Sequence, residues 1–469
     1  MKLVRVLGLL ALIEQIFVVE GLTPWLMAAD SITAARPHIV VFLSDDHGQL
    51  DSTPYAATDV RTPNMQRLAE AGMVFTHAFT ASPSCAPSRA AMLTGLMPAR
   101  NGAEANHTFK RDDVPSLPDV LRKAGYQTAA FGKVAHHVRD AARHGFDVVD
   151  SRHQAAVVEK FLRERDASRP LCLFVGTHEP HVPWPDLEGY DPSAIRLPPN
   201  HVDTPNTREQ RARYYTDVTK ADTQLGEILD LVDRYLDRRH TLILYTSDHG
   251  AQWPFGKWNL YDAGIRVPLI VAWPGVIRPG TRSAAMVQLI DILPTLIEVA
   301  GGQVPPGIDG RSFLAVLREE RPTHREEIFT THNNDGRMNV YPIRSIRTAR
   351  FKYILNLHPE WAHTTHIDQG RGSGDGWRYF LEWVDYARRE PAAAAIVRRY
   401  NERPDEELYD LEQDPYELHN LAGDPAYAAI LRKLRDRLSQ WRKEQGDTGE
   451  VTVEPRLLAN PEDYRPRAP

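Results

Sequence analysis

Four apolar runs in this chain are each followed, within a few residues, by side chains that can do chemistry. Residues 39–43 lead into Asp45-Asp46, 127–131 into Gly132-Lys133 and His136, 171–175 into His178 and His181, and 241–245 into Asp248-His249. Asp45, Asp46 and Asp248 offer carboxylate oxygens of the kind a hard divalent cation takes, and such a cation polarises a bound oxyanion. His136 and His181 carry imidazoles that titrate near neutrality and suit base and acid roles in a double displacement. Lys133 and Lys257 can clamp anionic oxygens. A fifth stretch, Cys85-Ala86-Pro87-Ser88-Arg89, puts a cysteine where a helix begins and an arginine about one turn further on. Backbone N–H groups at that helix start favour negative charge, and Arg89 is placed to hold an oxyanion at residue 85.

The elements that must position these groups read as an α/β fold. After Arg36, short β-branched runs alternate with amphipathic stretches, which predicts a mainly parallel sheet. Ligands of such sheets bind outside the carboxyl ends of the strands, so the four loops should converge on one crevice. Thr62-Pro63 opens a helix closed by Gly72, Ser116 and Asp119 form a capping box, and apolar residues from Val218 to Leu236 recur at helical spacing. Beyond Pro305 and Pro322 the composition shifts. Residues 343–348 and 351–354 alternate apolar and polar side chains, as strands of a one-faced antiparallel sheet do. A helix is expected near 428–441. The expected organisation is a leader and linker over 1–35, a catalytic domain over 36–325, an α+β subdomain over 326–450 and a flexible tail over 451–469.

Composition narrows the function. With 469 residues, 42% of them hydrophobic, the chain can bury one large core and a smaller one. A net charge of −6 excludes a global field for nucleic acid or anionic membrane, so an anionic substrate needs a local cationic pocket. Cys85 and Cys172 are the only cysteines, so there is no disulfide framework, and Cys172 reads as a buried core residue. Lys2 and Arg5 precede an apolar stretch ending at Ala28-Ala29, the pattern of a secretory signal peptide; Glu14 and Glu20 argue against a stable membrane span. Export to a periplasmic, secreted or lysosome-like compartment is expected.

The pentapeptide at Cys85 has the form C-x-P-S-R, and the chain after Arg36 resembles type I sulfatases of the alkaline-phosphatase-like superfamily. The resemblance runs through V-V-F-L-S-D-D-H-G, C-A-P-S-R-A-A-M-L-T-G, F-G-K-V-A-H-H, T-H-E-P-H-V-P-W, Y-T-S-D-H-G and the closing segment 407–422. It implies an alkaline-phosphatase-like sandwich with a large central sheet plus a smaller C-terminal antiparallel sheet and helix. It also implies that Cys85 is converted by a formylglycine-generating maturation enzyme to formylglycine, an aldehyde whose hydrate attacks the sulfur of a sulfate ester. By the same resemblance, Asp45, Asp46, residue 85, Asp248 and His249 hold a calcium ion. His181 and Lys257 assist the leaving group, His136 takes a proton as sulfate departs, and Arg89 and Lys133 orient the nucleophile.

Two features depart from the commoner family pattern. His249 stands where many members have Asn, as in iduronate-2-sulfatases, choline sulfatases and phosphonate monoester hydrolases, and nitrogen is a less natural calcium ligand than oxygen. His136 follows Lys133 by three residues rather than two, again similar to iduronate-2-sulfatases. The second half, with Trp258-Asn259-Leu260-Tyr261, Ile328 to His332 and Tyr341 to Ser345, more closely resembles N-sulfoglucosamine sulfohydrolases. That implies a sulfated sugar substrate derived from glycosaminoglycans, with His178, His332 and Arg344, and beside them Arg337 and Arg347, as candidate sugar contacts. Other readings of the same residues are an arylsulfatase, a phosphonate or phosphate ester hydrolase, a cysteine hydrolase pairing an unmodified Cys85 with His136 or His181, and a non-catalytic binder of sulfated glycans.

Overall fold

In the computed structural model, which describes residues 36–370 and 376–464, an eight-stranded sheet runs through the first two thirds of the chain. The strands up to residue 288 are β1 (His38–Ser44), β2 (Met73–Phe75), β3 (Ala78–Phe79), β4 (Gln127–Gly132), β5 (Val148–Asp150), β6 (Leu171–Gly176), β7 (Thr241–Ser247), β8 (Leu269–Ala272), β9 (Thr281–Ser283) and β10 (Val287–Gln288). The sheet order is β5-β4-β6-β1-β7-β8-β2-β9, with β3 and β10 paired separately. From β5 to β7 every pairing is parallel, whereas β8 runs antiparallel to both of its neighbours. The register sets Gly132 opposite Gly176, Leu43 opposite Gly176 and Ser44 opposite Ser247, so four strands end at one level.

Both faces of this sheet are covered, which is why its strands read as continuous apolar runs. Along β1, Ile39, Val41 and Leu43 pack with Met92, Leu121 and Leu293 on one side. Val40 and Phe42 pack with Leu68, Leu225 and Leu229 on the other. The helix carrying the last two residues spans Pro205–Tyr235; Thr204 caps it by accepting from the Thr207 amide at 3.1 Å, well before its apolar periodicity becomes legible. The capping box is present, the Ser116 amide donating to Asp119 at 3.1 Å. Cys172 is buried in β6.

The rest of the chain forms a four-stranded antiparallel meander of β11 (Glu327–Asp335), β12 (Asn339–Thr348), β13 (Phe351–Asn356) and β14 (Glu406–Asp410). This sheet is not one-faced. Phe329, Ile346 and Tyr353 meet Leu434, Leu438 and Trp441 of the helix Ala428–Gln445, with the Phe329 and Trp441 rings stacked 4.4 Å apart. Ile328, Ile343 and Ile354 pack on the opposite side against Phe255, Trp258 and Tyr261, which belong to loops of the large sheet. Polar residues of β12 are buried because they find partners: Arg344 closes on Asp447 and Arg347 on Asp262. Residues 451–464 are tied back through Leu458 to Glu360, with Tyr464 buried. The leader expected over 1–35 lies outside the described residues. Among those residues no helix is long and apolar enough to cross a membrane.

Candidate active site

Cys85 begins the helix Cys85–Thr94, every residue of which is buried. Ser84 enters it in an extended conformation and Gly95 leaves it left-handed, at φ 67°. Pro87 sits in the first turn, where its missing N–H has no intrahelical partner to lose. Buried on all sides, the helix aims its N-terminus at the ends of β1 and β7. Ser88 fixes that aim by donating to the Asp248 carbonyl at 2.5 Å and meeting the Thr80 hydroxyl at 2.7 Å.

The loops after β1 and β7 are stitched together: the Asp46 amide donates to Asp248 Oδ1 at 3.1 Å and the His47 amide to Ser247 Oγ at 2.9 Å. Asp46 is left-handed at φ 63°, an uncommon state for a non-glycine residue, shared nearby by His107, Phe255 and Trp258. Three cations answer three carboxylates here. Arg89 bridges Asp248 Oδ2 at 2.9 Å and Asp45 Oδ1 at 3.0 Å, and all three side chains are fully buried. Lys133 pairs with the other Asp45 oxygen and stands 3.8 Å from Cys85 Sγ. Lys257 binds both oxygens of Asp46, at 2.8 and 3.0 Å. Burial alone would raise the Asp45 carboxyl, but Lys133 and Arg89 outweigh it and hold it well below the usual range. Burial pushes the Cys85 thiol far up, so the neutral thiol is the stable form and a resting thiolate nucleophile is disfavoured.

Asp46, Cys85, Asp248 and His249 bring one ligand atom each to within 4.8 Å of one another. An ion with ligands at 2.3–2.6 Å spans a set of that size. His249 supplies the stronger argument. Its Nδ1 donates to the Gly250 carbonyl at 2.9 Å, so in the neutral ring Nε2 bears the lone pair. That lone pair faces Asp46 Oδ1 at 3.4 Å and Asp248 Oδ2 at 3.6 Å. Electron-rich atoms converge there, as a cation requires. Asp45 is not one of these four, but its Oδ1 lies 3.7 Å from Cys85 Sγ, and its oxygens also meet Arg89 and Lys133.

His181, after β6, lies 3.9 Å from Asp46 and bonds the Val182 carbonyl at 2.6 Å through Nδ1, which leaves Nε2 toward the site. Burial lowers its pKa, so it is neutral at rest. With His178, Asp217 and Lys220 it lines an open depression of about 380 Å³. His136 reaches His107, Nε2 to Nδ1, at 2.7 Å, and His107 Nε2 reaches Asp335 Oδ1 of β11 at 3.1 Å. Burial and Lys133 lower the pKa of His136 to about 3. Arg344 is committed to Asp447, with two contacts of 2.5 Å, and to the carbonyls of His332 and Ile343. His332 is buried and bonded to Asn339 at 3.1 Å. Sequence reasoning missed Ser88, Asn106, His107 and Asp335. The Asn106 side chain accepts from the Ala86 amide at 3.0 Å and donates to Asp335 at 3.0 Å. A polar loop around residue 106 and an acid 229 positions later carry no spacing signal that would link them.

Comparison with known proteins identifies the family. The sulfatase family model matches residues 37–302, and the model described as N-sulphoglucosamine sulphohydrolase, C-terminal, matches 249–364 and 393–444. An ulvan-active sulfatase of Formosa agariphila is 33% identical, over 90% of this chain and 83% of that protein. Human N-sulphoglucosamine sulphohydrolase is 30% identical, over 88% and 91%. Among solved structures, a protein in complex with its substrate D-glucosamine-2-N,6-O-disulfate superposes at TM-score 0.65 with 21% identity, covering 88% of this chain and 99% of that one. The phosphonate monoester hydrolase of Silicibacter pomeroyi gives 0.68 with 22% identity, covering 88% and 96%.

Proposed function

The chain belongs to the sulfatase family, hydrolases of sulfate esters and sulfamates, and we propose that it works through formylglycine at residue 85 on sulfated sugars, with N-sulfoglucosamine the favoured substrate. One observation carries the reading: residue 85 opens a buried helix and is one of four convergent side chains with the chemistry to hold a cation, with Arg89, Lys133 and Lys257 around them. The preference for a sulfamate rests on the C-terminal family match and on the human relative. The metal is assigned as calcium on the two carboxylates, with His249 as the unusual ligand. We further assign residues 1–35 to a leader for export, 36–325 to catalysis and 326–450 to a supporting subdomain. A formylglycine-generating enzyme is the required maturation partner.

Bound among Asp46, Asp248, His249 and residue 85, the cation supplies Lewis acidity toward a sulfuryl oxygen and lowers the pKa of a neighbouring hydroxyl. The matured residue 85 supplies one hydroxyl to attack sulfur and a second from which the aldehyde re-forms. Arg89 and the helix N-terminus stabilise negative charge at residue 85. Lys133 and Lys257, each already paired to a carboxylate, present ammonium donors to the sulfate oxygens. His181, once protonated at Nε2 from solvent, gives that proton to the departing alcohol or amine with Lys257 assisting, and His136 takes the proton when sulfate leaves.

The test is peptide mass spectrometry of Cys85 after expression with a maturation enzyme, followed by parallel turnover of N-sulfoglucosamine, ulvan fragments, an aryl sulfate and an aryl phosphonate. Aldehyde at residue 85 and preference for the sulfamate are expected, and Cys85→Ala should fold yet lose turnover. Full activity of the unmodified thiol, or preference for the phosphonate, sinks the reading.

A further inference from the structure

The contact between His136 and His107 is the part of the site least explained by the reaction so far. His136 is half-buried, beside Lys133 and within the fields of Arg89 and Asp45, and its backbone amide contacts Asp140 at 3.3 Å. A positive charge is poorly placed there. His107, by contrast, has a side chain 61% exposed and a carboxylate 3.1 Å from its Nε2. That carboxylate, Asp335, also accepts from Trp258 Nε1 at 2.6 Å and Asn106 Nδ2 at 3.0 Å. Burial would raise the Asp335 carboxyl, but His107, His366 and Lys257 overcome it and keep it ionised.

An ionised carboxylate can only accept, which orders the whole chain. Asp335 Oδ1, 3.1 Å from His107 Nε2 though not aligned as a hydrogen bond, favours the proton on that nitrogen. His107 Nδ1 is then a bare lone pair and takes the Nε2 proton of His136. His136 Nδ1 in turn is a bare lone pair, and it is buried with no hydrogen-bond partner among the described residues.

Resting on the sulfatase reading above, we propose that Asp335 and His107 are positioning residues that fix His136 as an Nδ1 base and carry its proton out to solvent. When sulfate leaves, the O–H bond of the remaining hydroxyl at residue 85 breaks, and its electron pair closes the carbonyl. The C–O bond to sulfate breaks with its pair going to sulfate. The proton binds His136 Nδ1 while the Nε2 proton of His136 passes to His107 Nδ1. The positive charge thereby ends beside Asp335 and in water. The C-terminal sheet would then take part in turnover through β11.

The test has two readouts. In protein labelled with ¹⁵N at histidine and left unmatured, long-range ¹H–¹⁵N spectra should show His107 and His136 both protonated at Nε2 at neutral pH. His136 protonated at Nδ1 overturns the relay whatever the enzyme does. In matured protein, His107→Asn keeps a residue that tolerates the φ of 65° found there. It should lower kcat at least about tenfold, lower KM for an aryl sulfate in proportion so that kcat/KM holds, and give a stoichiometric burst of phenol, because only the release half slows. Added imidazole should restore part of the rate in His107→Gly. An unchanged kcat without a burst overturns the proposal. Absence of turnover in the matured wild type overturns the sulfatase reading instead and leaves the histidine spectra to judge the ordering alone.

Discussion

His249 turns a sulfate pocket into a question about metals. Its Nε2 stands 3.4 Å from Asp46 Oδ1, 3.6 Å from Asp248 Oδ2 and 3.4 Å from Cys85 Sγ. Imidazole suits transition metals better than calcium, whereas an amide oxygen suits a hard cation. His249→Asn, the residue commoner in the family, is therefore expected to bind calcium as tightly or more tightly and to lose affinity for manganese or zinc. Calorimetric titration of the chelator-treated variant and wild type with each ion measures this. Weaker calcium binding in the variant would show that the imidazole is an adapted calcium ligand. Arg89 follows the same residue-scale logic from the other sign: it is buried because two carboxylates from different strands hold it, and neither tolerates its loss.

Elements bring those residues within reach, and the parallel pair β4 and β6 closes tightly at its end. A Cβ at Gly176 would lie 2.1 Å from the Lys133 carbonyl, and one at Gly132 would lie 2.0 Å from the Gly176 carbonyl. Both obstacles are backbone, so neither can step aside. Gly176→Ala is expected to destabilise the protein by about 3 kcal/mol in denaturant unfolding and to displace Lys133 from Asp45, lowering kcat with it. A variant of native stability and rate would mean that the strands separate freely. The strands themselves were legible in the sequence because both of their faces are buried, which leaves unbroken apolar runs ending in Asp45, Lys133, His178 and Asp248. The long helix was legible only from Val218 onward, since its first turns carry buried polar residues such as Arg211 and Asp217 in place of an apolar stripe. The second sheet was misread as one-faced because Arg344 and Arg347 look like solvent residues until Asp447 and Asp262 are seen against them. His107 and Asp335 were illegible for a related reason, since their partnership exists only once the two sheets are assembled.

At the scale of the whole molecule, the buried histidines limit the pH at which this fold can work. Burial lowers His144 and His136 to about 3 and His38, His77 and His332 to about 4, and it takes His201 and His363 well below their ordinary value. In the unfolded chain each titrates near 6.5, so below that pH the unfolded state binds more protons and stability falls as pH drops. The loss begins near the unfolded value and ends only as the pH passes through the lowered folded values. A fully buried imidazole such as His144 contributes about 2 kcal/mol to that loss between pH 6.5 and 5. The depressed carboxyl of Asp45 works in the same direction but lower: its stabilisation is intact above about pH 4 and is lost as the pH falls further. Denaturant unfolding across pH 4 to 8 should therefore show stability rising toward about pH 6.5, less steeply than the histidines alone would give, because the buried carboxyls of Asp217, Asp368 and Glu417, raised to about 7, lose stability over the same range. His144→Gln, which keeps a partner for the Ser116 hydroxyl now 2.8 Å from its ring, should flatten that slope. A profile level from pH 5 to 7 would contradict the argument. A rising one favours a near-neutral compartment over an acidic, lysosome-like one, because a fold that hides this many neutral imidazoles loses stability as the medium acidifies.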